Sequence, residues 1–221
     1  MKREELSNLS RSMGAAAFGT ARVDDLMDRF PLLSADLARG LVTGISVAVR
    51  LSGRILDDIE DRPTRLYFHH YRRVNHMLDM IAHTITTRLM EDGFDAVPIP
   101  ASQTIDWENQ AGHLSHKVIA VKAGLGWIGR NNLLVTPSWG SQVRLVTVLT
   151  DAEAKSQTPM EESCGTCRAC ITACPAGAIG ESPGEFDRDR CMAKVKELSK
   201  LAGIGHYICG ICVKACRGKR S

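Results

Sequence analysis

Cys164, Cys167, Cys170 and Cys174, followed by Pro175, form a C-x2-C-x2-C-x3-C-P run. Thiolates at this spacing hold iron–sulfur cubanes. Three close cysteines take three irons of one [4Fe–4S] cluster, and the fourth, on the next turn, ligates a second cluster. The first cluster then needs one more thiolate and the second needs three. The chain supplies Cys191, Cys209, Cys212 and Cys216. The assignment is therefore crossed: Cys164, Cys167, Cys170 and Cys216 on one cluster, Cys174, Cys191, Cys209 and Cys212 on the other. All eight cysteines are used. Disulfides would require an oxidising compartment, and no export signal is visible. Structural zinc also takes four thiolates, but its sites usually read as two separated cysteine pairs.

Three other groupings could do chemistry. The stretch from Ser102 to Lys117 crowds Asp106, Glu108, Gln110, His113 and His116 between a strand and a glycine loop, which makes it a candidate source of a proton and of substrate contacts. Read structurally, it is an exposed linker with a helix cap. Gly124-Leu125-Gly126-Trp127-Ile128-Gly129 fits G-x-G-x-x-G. The segment before it reads as helix and no acidic residue stands near position 149, so a dinucleotide is not the expected ligand. Its small residues would instead let backbone approach another flat cofactor. His69, His76 and His83 recur every seven residues on one helix face, with no carboxylate at ligand spacing, and read as surface or satisfied histidines. Tyr71 and Arg73 beside them could contact a phosphate or carboxylate.

The elements that must position these groups follow from pattern. A polar helix over 1–12 leads to a strand over 15–23 and a short helix from Asp24 to Arg29, stopped by Pro31. A β-branched strand covers 44–51. Thr64 caps a long helix whose apolar positions run from Leu66 to Leu89, closed by Gly93. Residues 94–101 make a short strand that two prolines confine to an edge. Residues 132–136 and 142–149 are strands, and 151–163 is a polar linker. The expected architecture is an α/β layer domain over 1–155 and a small metal-held module over 156–221. A worn two-fold echo relates the two cysteine half-motifs.

Length and composition are those of a globular protein: 221 residues, 44% of them hydrophobic. No run approaches the ~20 apolar residues of a membrane span. No membrane association is expected, and the cytoplasm is the expected compartment. The formal charge of +3 counts eight neutral cysteines. With eight thiolates and about +2 on each oxidised cubane core, the loaded chain comes to about −1. Lys214, Arg217, Lys219 and Arg220 form a basic tail that offsets cluster charge or frays in solvent.

Ala123 to Leu134, Gly140-Ser141, the strand ending Leu149-Thr150-Asp151, and the cysteine run from Cys164 to Ile179 together resemble epoxyqueuosine reductase. Cys191 and Cys209 to Cys216 fit the same family's second half-motif, and the two N-terminal strands match it more loosely. The family is related to corrinoid-dependent reductive dehalogenases. The resemblance implies a nitroreductase-like α/β domain followed by a ferredoxin-like module with two [4Fe–4S] clusters. It implies electrons passing from a low-potential donor through both clusters to a cobalamin that reduces the substrate. It places Gly124, Leu125, Gly126, Trp127, Gly129, Gly140 and Ser141 against the ring. The family's catalytic Asp has no counterpart in register: ungapped counting lands on Gln110, and the nearest acid is Asp106. Asp106, His113 and His116 are accordingly the candidate proton donors. The family's helical-repeat extension, which helps hold tRNA, has no counterpart before Ser221, so the expected partner is a small-molecule substrate or redox protein rather than tRNA. The competing expectation is an electron carrier whose α/β domain docks a partner and holds no cofactor.

Overall fold

The computed structural model describes residues 2–218; Lys219 and Arg220 of the basic tail lie outside the described residues. Its elements are α1 (Arg3–Ser12), β1 (Ala17–Arg22), α2 (Ala35–Ala38), β2 (Thr43–Arg50), α3 (Gly53–Asp57), α4 (Arg65–Glu91), β3 (Ala96–Ile99), α5 (His116–Lys122), β4 (Trp127–Ile128), β5 (Leu134–Val135), β6 (Val143–Thr150), α6 (Ala169–Ala173), α7 (Arg188–Leu201) and α8 (Ile211–Ala215), with a 3₁₀ turn at Asp24–Arg29. Among the described residues no helix is long and apolar enough to cross a membrane.

Two compact units can be distinguished, and neither is continuous in sequence. The first comprises Met1–Val49, Asn75–Leu125 and Arg144–Met160; the second comprises Arg50–Val74, Gly126–Val143 and the chain from Glu161 onward. The composition break near residue 155 falls close to the point where the chain enters the second unit for the last time.

The first unit is built on an antiparallel sheet of order β1-β2-β6-β3. β1 and β2 pair antiparallel with Ala17 opposite Ala48, and β3 and β6 pair antiparallel with Pro98 opposite Val148. Val42 N–H donates to Thr150 O at one end of the central pair and Leu51 N–H to Gln142 O at the other, so β2 and β6 also run in opposite directions. Pro98 costs little because β3 is an edge strand, as its prolines require. α4 buries Leu78, Ile81, Ala82, Ile85 and Leu89 at helical spacing, each 1% exposed or less. Val23, Leu26, Phe30, Leu33, Leu41, Ile99, Leu114, Ile119 and Leu149 form a contiguous core. His69, His76 and His83 are all exposed, so this stripe is the wet side of α4.

In the second unit α6 and α3 each pack against α8. β4 and β5, two residues each, form a small hairpin with Trp127 opposite Val135. Thr64 Oγ1 accepts from Tyr67 N–H and opens α4, the cap expected from sequence. Lys214 Nζ donates to the carbonyls of Asp57 and Ile59, and Arg217 pairs with Asp57. These two basic residues are therefore tied into the unit rather than frayed.

Candidate metal centre and polar cavity

Short elements present the eight cysteines. Cys170 sits on α6 and Cys174 at its C-terminal cap; Cys212 and Cys216 hold the same two positions on α8. This is the two-fold echo in three dimensions. Cys191 lies in the first turn of α7, whose N-cap Asp187 accepts from Arg190 N–H at 2.8 Å. Gly210 caps α8 at φ 83°, a left-handed conformation; a Cβ there would press on Ile59 and Tyr67.

The electrostatic neighbours sort the thiols into two sets. Burial pushes the Cys170 thiol up to about 11, and Cys216, Cys164 and Cys167 add to the shift. Burial likewise pushes Cys191 up to about 11, with Cys174 and Cys209 next in effect. Burial raises Cys209, with Cys174 contributing, and raises Cys212 through Cys209, Cys191, Cys174 and, last, Cys170. One set is thus Cys164, Cys167, Cys170 and Cys216; the other is Cys174, Cys191, Cys209 and Cys212. Cys174 groups away from Cys170 although only three residues separate them, because the two occupy opposite ends of one helical turn.

The first set lines a cavity of about 320 Å³ together with Trp127, Arg130, Asn131, Val135 and Arg217. Among the described residues no three Cys, His, Asp or Glu side chains converge tightly enough to hold a single metal ion. Arg130 is the charged residue most closely engaged here. Its Nε donates to Glu181 O at 2.6 Å, Nη1 to Cys167 O at 2.7 Å and Nη2 to Gly165 O at 2.9 Å. In the second set Ala178 N–H donates to Cys174 Sγ at 3.5 Å.

The glycines expected to face a ring are packed against the chain itself on the side a Cβ would occupy. A Cβ on Gly126 would collide with the Val135 carbonyl across the β4–β5 hairpin, and one on Gly140 with the Cys216 carbonyl. On Gly129 it would meet Val135 and sit 3.6 Å from Cys164 Sγ; on Gly124 it would press on the Thr158 carbonyl. Ser141 is buried, its hydroxyl accepting from Asn131 Nδ2 at 3.0 Å. Close packing of this chain on itself accounts for these small residues.

The first unit carries a second cavity, about 210 Å³, lined by Ser102, Gln103, Thr104, His113, His116 and Arg144 among others. Of the three candidate proton donors it gathers two. Asp106 belongs to a separate turn: its Oδ1 accepts from Glu108 N–H at 3.0 Å and Asn109 N–H at 2.9 Å, its Oδ2 from Asn109 Nδ2 at 2.8 Å, and its backbone bridges to Ala111. That is a carboxylate used as a loop clasp. His116 has both ring nitrogens committed. Nε2–H donates to Pro100 O at 2.9 Å, so Nδ1 accepts from Thr147 Oγ1 at 2.9 Å. Burial lowers its pKa from 6.5 to about 4, with Arg144 adding to the effect, and the ring is neutral near pH 7. His113 keeps one nitrogen for other work: Nδ1–H donates to Leu32 O at 3.0 Å. Asp106 thus clasps its own turn and His116 bridges Pro100 and Thr147, whereas His113 is held to Leu32 through Nδ1. Arg144 was not singled out in the sequence; it stands in a strand among apolar neighbours, and only the fold shows its Nε bonded to Asn75 Oδ1 at 3.0 Å beside the cavity.

No protein-family model matches the chain. Curated proteins do. Epoxyqueuosine reductase of Bacillus anthracis is 33% identical over 113 residues, which are 48% of this chain and 30% of that protein. The Escherichia coli enzyme is 38% identical over 111 residues, 46% of this chain and 29% of that protein. The chain is similar to epoxyqueuosine reductase. The match spans less than a third of either relative's length. Among solved structures, an epoxyqueuosine reductase bound to an epoxyqueuosine-modified tRNA-Tyr stem loop superposes with a TM-score of 0.66 at 21% identity, over 96% of this chain and 64% of that one. A reductive dehalogenase described as B12-dependent gives 0.76 at 18% identity, over 96% and 31%. At these identities the structures establish a shared mixed α/β fold.

Proposed function

We propose that the protein is an iron–sulfur oxidoreductase that takes electrons from a low-potential donor and delivers them to a reducible substrate. Cys164, Cys167, Cys170 and Cys216 hold one [4Fe–4S] cluster, and Cys174, Cys191, Cys209 and Cys212 hold the other, in a ferredoxin-like module. The observation that carries this reading is the sorting of the thiols into the two sets that the crossed spacing demands. The donor chemistry fits: each set offers four sulfurs, and the first lines a cavity of about 320 Å³. Bound cubanes supply one-electron transfer at low potential. The chain's part is to release eight thiol protons on loading, to bury Cys170, and to hold the ligand loop with Arg130.

A corrinoid acceptor is the finer form of the reading, and its support is the similarity to a dehalogenase described as B12-dependent. Gly124, Gly126, Gly129, Gly140 and Ser141 do not fit a ring-facing role, because their open sides are filled by the chain itself, so no step is derived through the ring. The proton comes from His113, which lines the polar cavity beside Ser102, Thr104 and Arg144. The electrons go to a small molecule or a redox partner, with a modified tRNA stem loop to be tried because one structural relative binds it.

Anaerobic reconstitution tests the core of the proposal. About eight irons and eight sulfides per chain are expected. Two zincs and no iron would overturn it. Titration of the loaded protein with cobalamin, followed optically, separates the corrinoid form from an electron carrier whose α/β unit docks a partner.

A further inference from the structure

The Gly124–Gly129 loop is expected to face a cofactor ring, and Arg130 follows it directly. Its contacts lead elsewhere. Trp127, Arg130 and the thiols of Cys164, Cys167, Cys170 and Cys216 line one cavity. Gly129 packs so that a Cβ would stand 3.6 Å from Cys164 Sγ. Arg130, with a side chain only 14% exposed, spends three N–H donors on three carbonyls, two of them inside the Cys164–Cys167 loop. That loop has no helix or strand to fix it. A planar guanidinium can hold three acceptors at fixed angles; an ammonium is a point charge and cannot.

We propose that Arg130 is the positioning residue of the first cluster, fixing the Cys164–Cys167 loop by its three hydrogen bonds and raising the cluster's reduction potential by its charge. The proposal rests on reading Cys164, Cys167, Cys170 and Cys216 as cluster ligands. Reduction adds one negative charge to the cubane. A cation buried beside it, with donors engaged on the ligand loop, favours the reduced state. Glu181 modulates the effect. Its carboxylate lies 3.8 Å from Arg130 Nε and 3.1 Å from Arg168, and it is half exposed. The Glu181 backbone carbonyl, not its side chain, accepts the short bond from Arg130. Removing the carboxylate therefore leaves the clasp intact and uncovers the charge.

The test is a redox titration of the reconstituted protein followed by electron paramagnetic resonance, with iron counted in each variant. Arg130→Lys keeps the charge and loses the fork; the first cluster becomes labile, iron falls toward half, and the second cluster's signal persists. Arg130→Gln loses both, and any first cluster that survives reduces at more negative potential, on the order of tenfold in the reduced-to-oxidised ratio, about 59 mV for one electron. Glu181→Gln, at a half-exposed position that does not threaten folding, shifts the same couple to more positive potential. Equal loss of both clusters in the Arg130 variants would assign Arg130 to general folding and overturn the proposal. So would unchanged potentials in Arg130→Gln and Glu181→Gln with iron retained. Absence of iron in the unaltered protein would instead overturn the proposed function itself.

Discussion

The cysteine-bearing unit and the sheet unit both concentrate polar, chemistry-capable residues, yet the structure treats them differently. In the cysteine unit the electrostatic neighbours of the buried thiols fall into two sets, each drawn from both halves of the motif. In the sheet unit the crowd from Ser102 to Lys117 separates into parts. Asp106 clasps its own turn, His116 braces Pro100 to Thr147, and only His113 stays available in the cavity. A thiolate ligand set is specified by local spacing, because each half-motif fits on one or two helical turns. A proton donor is specified by what its other atoms are bonded to, and sequence spacing carries no record of that.

The strongest test of the contrast is Cys174→Ala. The crossed sets predict that it removes the cluster of Cys191, Cys209 and Cys212, so that iron falls from about eight to about four per chain, while the signal lost in Cys167→Ala is retained. Loss of the same cluster in both variants would return the two regions to equal footing, since neither would then follow from its spacing.

Gly126→Ala should destabilise the fold by about 3 kcal/mol or more, because the added methyl meets a backbone carbonyl that cannot rotate away. Thermal melting of the unloaded and the loaded protein checks this. The loss should be similar in both and unaffected by cobalamin. A glycine that served only a ring would instead leave the melting temperature of the ligand-free protein unchanged.

How much of this could be read in advance varies by element. α4, the edge strand with Pro98 and the cap at Thr64 follow directly from periodicity and from the chemistry of proline and threonine. The proposal that all eight cysteines are cluster ligands also starts from their spacing. The glycine loop is ambiguous in sequence because glycine marks close approach without saying what approaches: on the Cβ side of Gly126 and Gly140 it is a carbonyl of the same chain. The interleaving of the units was not legible either, since Gly126–Val143 joins the cysteine unit through contacts remote in sequence, such as Gln142 Nε2 to Lys214 O at 3.0 Å.

His116 offers a subtler probe. Its folded pKa, about 4, lies below the ordinary 6.5, so the unfolded chain binds a proton that the folded chain refuses between those values. Stability from this site is complete above pH 6.5 and is lost as pH falls toward 4. The loss should be roughly 1–3 kcal/mol, in line with linkage for a partly buried ring. His116→Gln should flatten that part of the profile in denaturant titrations from pH 4 to 7. An unchanged slope would mean that the ring is charged in place and that His116 can share the proton-donor role with His113.

Asp106→Asn should have the smallest effect. The amide retains Oδ1 for the N–H groups of Glu108 and Asn109, and loses only the acceptor facing Asn109 Nδ2. One neutral hydrogen bond in an exposed turn is worth about 1 kcal/mol or less. Melting should therefore shift little, and turnover should stay within about twofold of the unaltered protein. A general acid removed from the reaction would instead cost roughly 10²–10⁴-fold. The two roles differ by enough that a single steady-state rate, measured with any substrate the protein reduces, separates them. A hundredfold loss in Asp106→Asn with an intact melt would move the acid from the His113 cavity to the turn, and with it the place where substrate must lie.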